Sequence, residues 1–93
     1  MIELYELRQF TAFAETGTLS EAAEILHLSQ PALSRNMKKI EDDLGITLFE
    51  RRKNKLALNE NGKYVYELAR NLLEDADTFA SKARDFDRRN RTI

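Results

Sequence analysis

Apolar residues recur along this chain with a helical period, lose it for a short stretch, and regain it. Leu7, Phe10, Phe13 and Ala14 form one stripe between about Leu4 and Thr16, and Gly17 follows as a stop, so the spacing predicts a first helix. The stretch from Thr18 to Ile40 predicts two more helices joined by a very tight turn. The first is short, running from Glu21 to His27, with Ser20 placed to cap it. The second opens at Ser29-Gln30-Pro31, where Ser29 can cap and the missing N–H of Pro31 costs nothing in a first turn. It ends at Leu44, before Gly45. Ala22, Ala23, Leu26, Leu28, Leu33, Met37 and Ile40 occupy the inner faces of the pair.

Residues 46–58 change character. Leu48-Phe49 and Leu56-Ala57-Leu58 bracket the charged tip Arg52-Lys53-Asn54-Lys55, which predicts two short strands around a basic loop. Asn59 can cap a last helix, and Glu60 suits its positive end. That helix is expected to run to about Arg88, followed by a frayed polar tail over 89–93. Its apolar positions are Val65, Ala69, Leu72, Ala76, Phe79, Ala83 and Phe86, spaced 4, 3, 4, 3, 4, 3. Such a helix is roughly 40 Å long, too long to bury its seam on so small a domain. A partner helix is required, most simply that of a second copy, and the alternation of large and small residues favours an antiparallel pair. The predicted fold is mainly α: three helices and a short two-stranded hairpin in residues 1–58, then a long linker and dimerisation helix over 59–88.

Composition narrows the chemistry. Ninety-three residues, 42% of them hydrophobic, allow one small domain. There is no cysteine, so disulfides and thiolate metal sites are excluded. No apolar run approaches the roughly 20 residues of a transmembrane helix, and the acidic start lacks the apolar stretch of a signal peptide, so a soluble cytoplasmic protein is expected. The net charge of −1 conceals an asymmetry. Residues 1–29 hold Arg8 against Glu3, Glu6, Glu15, Glu21 and Glu24. Residues 30–55 hold Arg35, Lys38, Lys39, Arg51, Arg52, Lys53 and Lys55 against Glu41, Asp42, Asp43 and Glu50. Positive charge is concentrated on the third helix and the hairpin, the footprint of a nucleic-acid binder.

The outer face of the third helix presents Gln30, Pro31, Ser34, Arg35 and Lys38. Gln and Arg can pair bidentately with adenine and guanine edges, and Pro31 can press on a thymine methyl, which suits the major groove of double-stranded DNA. Lys38, Lys39 and the hairpin cations Arg51, Arg52, Lys53 and Lys55 suit phosphates, with one hairpin side chain entering the minor groove. The lone His27 has neither co-ligands nor a nucleophile beside it, so a helix-end surface or packing role is expected. No constellation of acid, base and nucleophile, no phosphate-cradling glycine loop and no metal-ligand spacing occurs, so neither enzyme nor cofactor is expected. A rival reading is a helical protein-interaction module whose seam is the functional surface; the acidic balance favours it and the clustered basic hairpin opposes it.

The opening LYELRQFTAFAETGTLSEAAEILHLSQPALSRNMKKIEDDLG, then ITLFERR, then LALNENG, resembles the LysR-type transcriptional regulators over roughly residues 3–88. The resemblance implies a winged helix-turn-helix followed by a linker helix, binding interrupted palindromes as dimers or dimers of dimers through antiparallel linkers. It implies base contacts for Gln30, Pro31, Ser34 and Arg35, and backbone contacts for Ser20, Ser29 and Lys38. Arg51 matches the wing arginine, and Arg52 to Lys55 the variable wing tip. Asn59 replaces the usual threonine cap, and Asn54 stands where many members are basic. Members of that family continue into a larger effector-binding domain. The chain is therefore expected to be either cut at the family's hinge, the favoured reading, or a natural stand-alone reader, and in both cases able to bind DNA and dimerise but without a small-molecule effector.

Overall fold

The computed structural model describes residues 1–91. The order is α1 (Leu4–Thr16), α2 (Leu19–Leu26), α3 (Gln30–Leu44), β1 (Phe49–Arg52), β2 (Lys55–Leu58) and α4 (Glu60–Arg91). The predicted limits of α1 and α3 hold. Each ends on a left-handed glycine, Gly17 at φ 86° and Gly45 at φ 72°, a conformation that costs residues with a Cβ. Ser29 caps α3, its Oγ accepting from the Ala32 N–H at 3.2 Å, with Pro31 in the first turn.

The start of α2 corrects the expectation. Helix begins at Leu19, and the cap is Thr18, whose Oγ1 accepts from the Glu21 N–H at 3.1 Å. Ser20 lies inside the first turn. The spacing Thr18-Leu19-Ser20-Glu21 carries the signal, since a cap is best followed by an acid three residues on. At the other end, His27 adopts the left-handed conformation at φ 58° and its N–H reaches back to Glu24 O at 3.3 Å, which makes the turn into α3 so short. It is an exposed helix-end cap, the surface role of the two expected of it.

The core lies where α1, α2 and α3 meet. Phe10, Leu33, Ile40, Ala22 and Leu48 are wholly buried, with Phe13 and Met37 nearly so. Phe49 ties the hairpin to this core, its ring packing edge-on against Phe10 and Phe13 at centroid distances of 5.8 and 5.6 Å. The hairpin pairs Phe49 with Leu58 and Arg52 with Lys55, antiparallel, and turns at Lys53 and Asn54, both at positive φ. Two positive φ angles are what a two-residue hairpin turn requires.

α4 leaves the domain as a projecting rod, and the molecule is 63 Å in its longest dimension. Asn59 caps it as predicted, Oδ1 accepting from the Gly62 N–H at 2.8 Å. The helix continues past Arg88 to Arg91, supported by the Arg88–Asp85 pair and by Arg91–Asp87 at 3.0 Å. The expected frayed tail is therefore helical as far as Arg91; residues 92 and 93 lie outside the described residues.

The seam of α4 also needs correction. Ala69, assigned to dimerisation, is 3% exposed against its own domain, and Val65 is half-buried against the same core. The intramolecular stripe is Gly62, Tyr66, Ala69 and Leu73. It is pinned to α1 by the Tyr66 hydroxyl donating to Glu15 at 2.8 Å and by the Arg8–Asp77 pair at 3.4 Å. Burial and the Glu15 carboxylate hold the Tyr66 hydroxyl protonated above its usual range. Leu68, Leu72, Phe79 and Phe86 stay exposed on an adjacent stripe, Phe79 at 75% and Phe86 at 65%.

Candidate nucleic-acid interface

Three elements converge on one side of the domain. The N-terminal turn of α2, the N-terminal tip of α3 and the hairpin enclose a concave surface lined by Ser20, Gln30, Arg51, Asn54 and Lys55, with Gly17 and Thr18 at its edge. A second concavity continues it along α3, lined by Ser34, Lys38, Glu41, Glu50 and Arg51. Arg51 belongs to both and stands between the tip of α3 and its middle. The helix N-terminus of α2 adds unsatisfied N–H groups to the first concavity.

Ser29, Gln30, Pro31, Arg35 and Lys38 are exposed along α3, and Ser34 is half-exposed between them. Lys53 and Asn54 form the hairpin tip. Arg52 is the exception. It pairs with Glu50 at 2.6 Å and lies near Asn59 and Glu60. Lys38 pairs with Asp42 at 3.3 Å, an exposed contact of little energy. Among the described residues, Arg35, Arg51, Lys53 and Lys55 have no carboxylate within ion-pair distance. Their charge is thus available to a partner.

Sequence reasoning passed over the residues that hold this surface in shape. Glu41, at the end of α3, accepts from the backbone N–H groups of Leu48 at 2.7 Å and Phe49 at 3.3 Å, and so fixes where the hairpin begins. Asn59 and Asn61 both donate to the Thr47 carbonyl at 3.1 Å, tying the same loop to α4. The Leu48 carbonyl in turn accepts from the Asn59 N–H at 2.9 Å. The signal for Glu41 was an acid positioned just before a glycine-stopped helix end, where a negative charge is unfavourable to the dipole unless it has a job.

The sequence matches the bacterial regulatory helix-turn-helix proteins of the lysR family over residues 4–63. The chain belongs to the LysR family. It is 45% identical over 74 residues to the SDS degradation transcriptional activation protein of Pseudomonas sp. (strain ATCC 19151), covering 80% of this chain and 24% of that relative. It is 44% identical over 72 residues to the HTH-type transcriptional regulator YtlI of Bacillus subtilis (strain 168), covering 77% and 23%. The chain thus spans about a quarter of the length of the curated LysR relatives it matches. The fold superposes on the CbnR_DBD–DNA complex with a TM-score of 0.85 and 38% identity, covering 90% of this chain and 97% of that one. On the BenM_DBD/benA site 1 DNA complex the TM-score is 0.86 at 34% identity, covering 91% and 99%. The LysR fold, three helices, a hairpin and a long helix, agrees with the architecture read from the sequence. No helix among the described residues is long and apolar enough to cross a membrane.

Proposed function

We propose that this chain is the sequence-specific, dimeric DNA-binding domain of a cytoplasmic transcription regulator, acting without catalysis. The observation that carries the reading is that Gln30, Ser34, Arg51 and Lys55 line two adjoining concavities, with Arg35 exposed on the same helix, and that among the described residues Arg35, Arg51 and Lys55 have no carboxylate within ion-pair distance. The similar CbnR and BenM domains are described in complex with DNA, which supports the same partner here. α3 enters the major groove, with Gln30, Pro31, Ser34 and Arg35 at base edges and Ser20, Ser29 and Lys38 near the backbone. The hairpin tip, Lys53 and Lys55 with Arg51 behind them, follows the backbone toward the flanking minor groove. Arg52 is the weakest member of the set, because it is paired with Glu50.

Dimerisation uses the stripe of α4 formed by Leu68, Leu72, Phe79, Ala83 and Phe86, all exposed, with the half-buried Ala76 between them. Large apolar side chains so far beyond the domain stay in water unless a second helix covers them. An antiparallel pair places two readers on one face of the duplex, about one helical turn or a multiple of it apart, and predicts a two-fold symmetric site.

Two substitutions test the reading. Arg35→Ala is expected to cost about 1–3 kcal/mol and to relax base preference at one position per half-site. Equal weakening on every duplex would instead make Arg35 a phosphate contact. Ala76→Glu is expected to convert a sedimenting dimer into a monomer, and a dimer that survives the charge would refute the pairing.

A further inference from the structure

Two polar contacts join α1 to α3, and neither lies on the face proposed to meet DNA. Gln9, 9% exposed, accepts at Oε1 from Asn36 Nδ2 at 2.7 Å. One turn away, Glu6, 1% exposed, meets the Lys39 ammonium at 3.0 Å, while its other carboxylate oxygen accepts the Glu3 N–H at 2.8 Å. Lys39 also reaches Asp43 at 3.0 Å. Asn36, Lys39 and Asp43 form one flank of α3, and helical geometry sets Asn36 on the far side of the axis from Ser34 and Lys38.

The rest of the α1–α3 contact is apolar. Leu33, Met37 and Ile40, each no more than 1% exposed, fix how deeply α3 sits. Apolar attraction is non-directional, so it constrains depth better than rotation about the helix axis. A hydrogen bond has a preferred length and angle and does constrain rotation. A roll of about 10° carries a side-chain tip roughly 5–6 Å from the axis through about 1 Å. Recognition sites tolerate roughly half that displacement before a bidentate contact is lost.

We propose that Gln9 and Asn36 are a positioning pair, backed by Glu6 and Lys39, that sets the roll of α3 and so tunes the base preference of Gln30 and Arg35 without touching DNA. The inference rests on the reading of α3 as the DNA-facing helix. It names a determinant of specificity on the first helix, away from the face proposed to meet DNA.

The test uses the whole chain and compares the parent with Asn36→Ala, Gln9→Ala and the exchanged pair Gln9→Asn/Asn36→Gln, which restores the combined side-chain length. Each is titrated against the parent's selected site, against versions carrying one substituted base pair, and against an unrelated duplex, with circular dichroism confirming the helical fold. Discrimination at the pairs under Gln30 and Arg35 is expected to fall roughly 3- to 10-fold in both alanine variants. Binding to the unrelated duplex is expected to stay within about twofold, since phosphate contacts are unchanged. The exchanged pair is expected to recover discrimination, which a merely structural loss of stability would not explain. Unchanged discrimination in both alanine variants, a uniform loss on all duplexes, or an exchanged pair as flat as Asn36→Ala would overturn the proposal. A parent that selects no site would remove the DNA reading itself, whereas a parent that selects one and variants that match it would remove this inference alone.

Discussion

Replacing Gly62 with alanine sets two effects of opposite sign against each other. In the first turn of α4, alanine improves helix propensity by up to about 1 kcal/mol. The backbone around Gly62 leaves no room for it. A Cβ there would overlap the Leu48 carbonyl oxygen and lie 3.2 Å from its carbon and 3.0 Å from Leu58 Cδ2. That carbonyl cannot swing aside, because it accepts the Asn59 N–H at 2.9 Å. α4 would have to retreat by roughly 1 Å, an overpacking that costs about 1–3 kcal/mol. The clash wins, and the net loss is about 1–2 kcal/mol, which for a domain of this size lowers Tm by roughly 5–15 °C. Thermal unfolding followed by circular dichroism measures it, with both proteins at one concentration because a dimer's Tm depends on concentration. DNA affinity should fall as well, since the same junction positions the hairpin. A Gly62→Ala protein with a raised Tm would refute the reasoning and leave propensity as the dominant effect.

Glu41→Ala is expected to cost about 1–3 kcal/mol by leaving the Leu48 and Phe49 N–H groups without their acceptor; an unfolding midpoint equal to the parent's would mean that water replaces the carboxylate. His27→Gly is expected to stabilise by about 0.5–1 kcal/mol, because glycine adopts the left-handed conformation at φ 58° without a Cβ penalty; a lower midpoint in urea would show that the imidazole contributes more than its conformation costs. Acid should destabilise the fold through Glu6 and Asp43. The Glu3 N–H and then Lys39 hold the Glu6 carboxyl below the usual range, and Lys39 does the same for Asp43. Both therefore favour the folded state while ionised, fully above about pH 5, and that stabilisation fades as pH falls toward their lowered values. In Glu6→Gln the loss of stability between about pH 5 and 3 should be shallower, and an identical profile would place the acid-sensitive group elsewhere. Lys53→Ala should flatten the salt dependence of DNA binding, and an unaltered slope would take Lys53 off the phosphate.

Local signals made much of the fold legible. Gly17, Ser29, Gly45 and Asn59 act through their nearest neighbours, so the ends of α1 and α3 and the start of α4 followed from them. The start of α2 was harder because Thr18 and Ser20 are both capable caps, and only the acid at Glu21 decides between them. The face of α4 was misjudged for a different reason. Two apolar stripes lie side by side on that helix, and a strict 4, 3 repeat drawn through them takes Val65 and Ala69 from one and Phe79 and Phe86 from the other. Which stripe the domain covers depends on where Gly62 lets α4 approach Leu48, a long-range contact that periodicity cannot report. Gln9–Asn36 and Glu41–Leu48 were hidden likewise. Each pairs a polar side chain with a group far along the chain or on the backbone, and polar residues at such positions look like solvated surface. Gln30, Ser34 and Arg35 were legible as a set because one helix carries them, whereas the pairing of Arg52 with Glu50 depends on the hairpin bringing alternate side chains to one face.

In the proposed reading, α3 and the hairpin read DNA in two copies held together by α4. Selecting the purified chain against a randomised double-stranded DNA pool at roughly physiological salt, where non-specific attachment is weak, tests it most directly. Enrichment of a two-fold symmetric site is expected, with half-sites about one helical turn apart or a multiple of it. A pool left unenriched by a chain that still sediments as a dimer would contradict it and leave α4, not α3, as the functional surface.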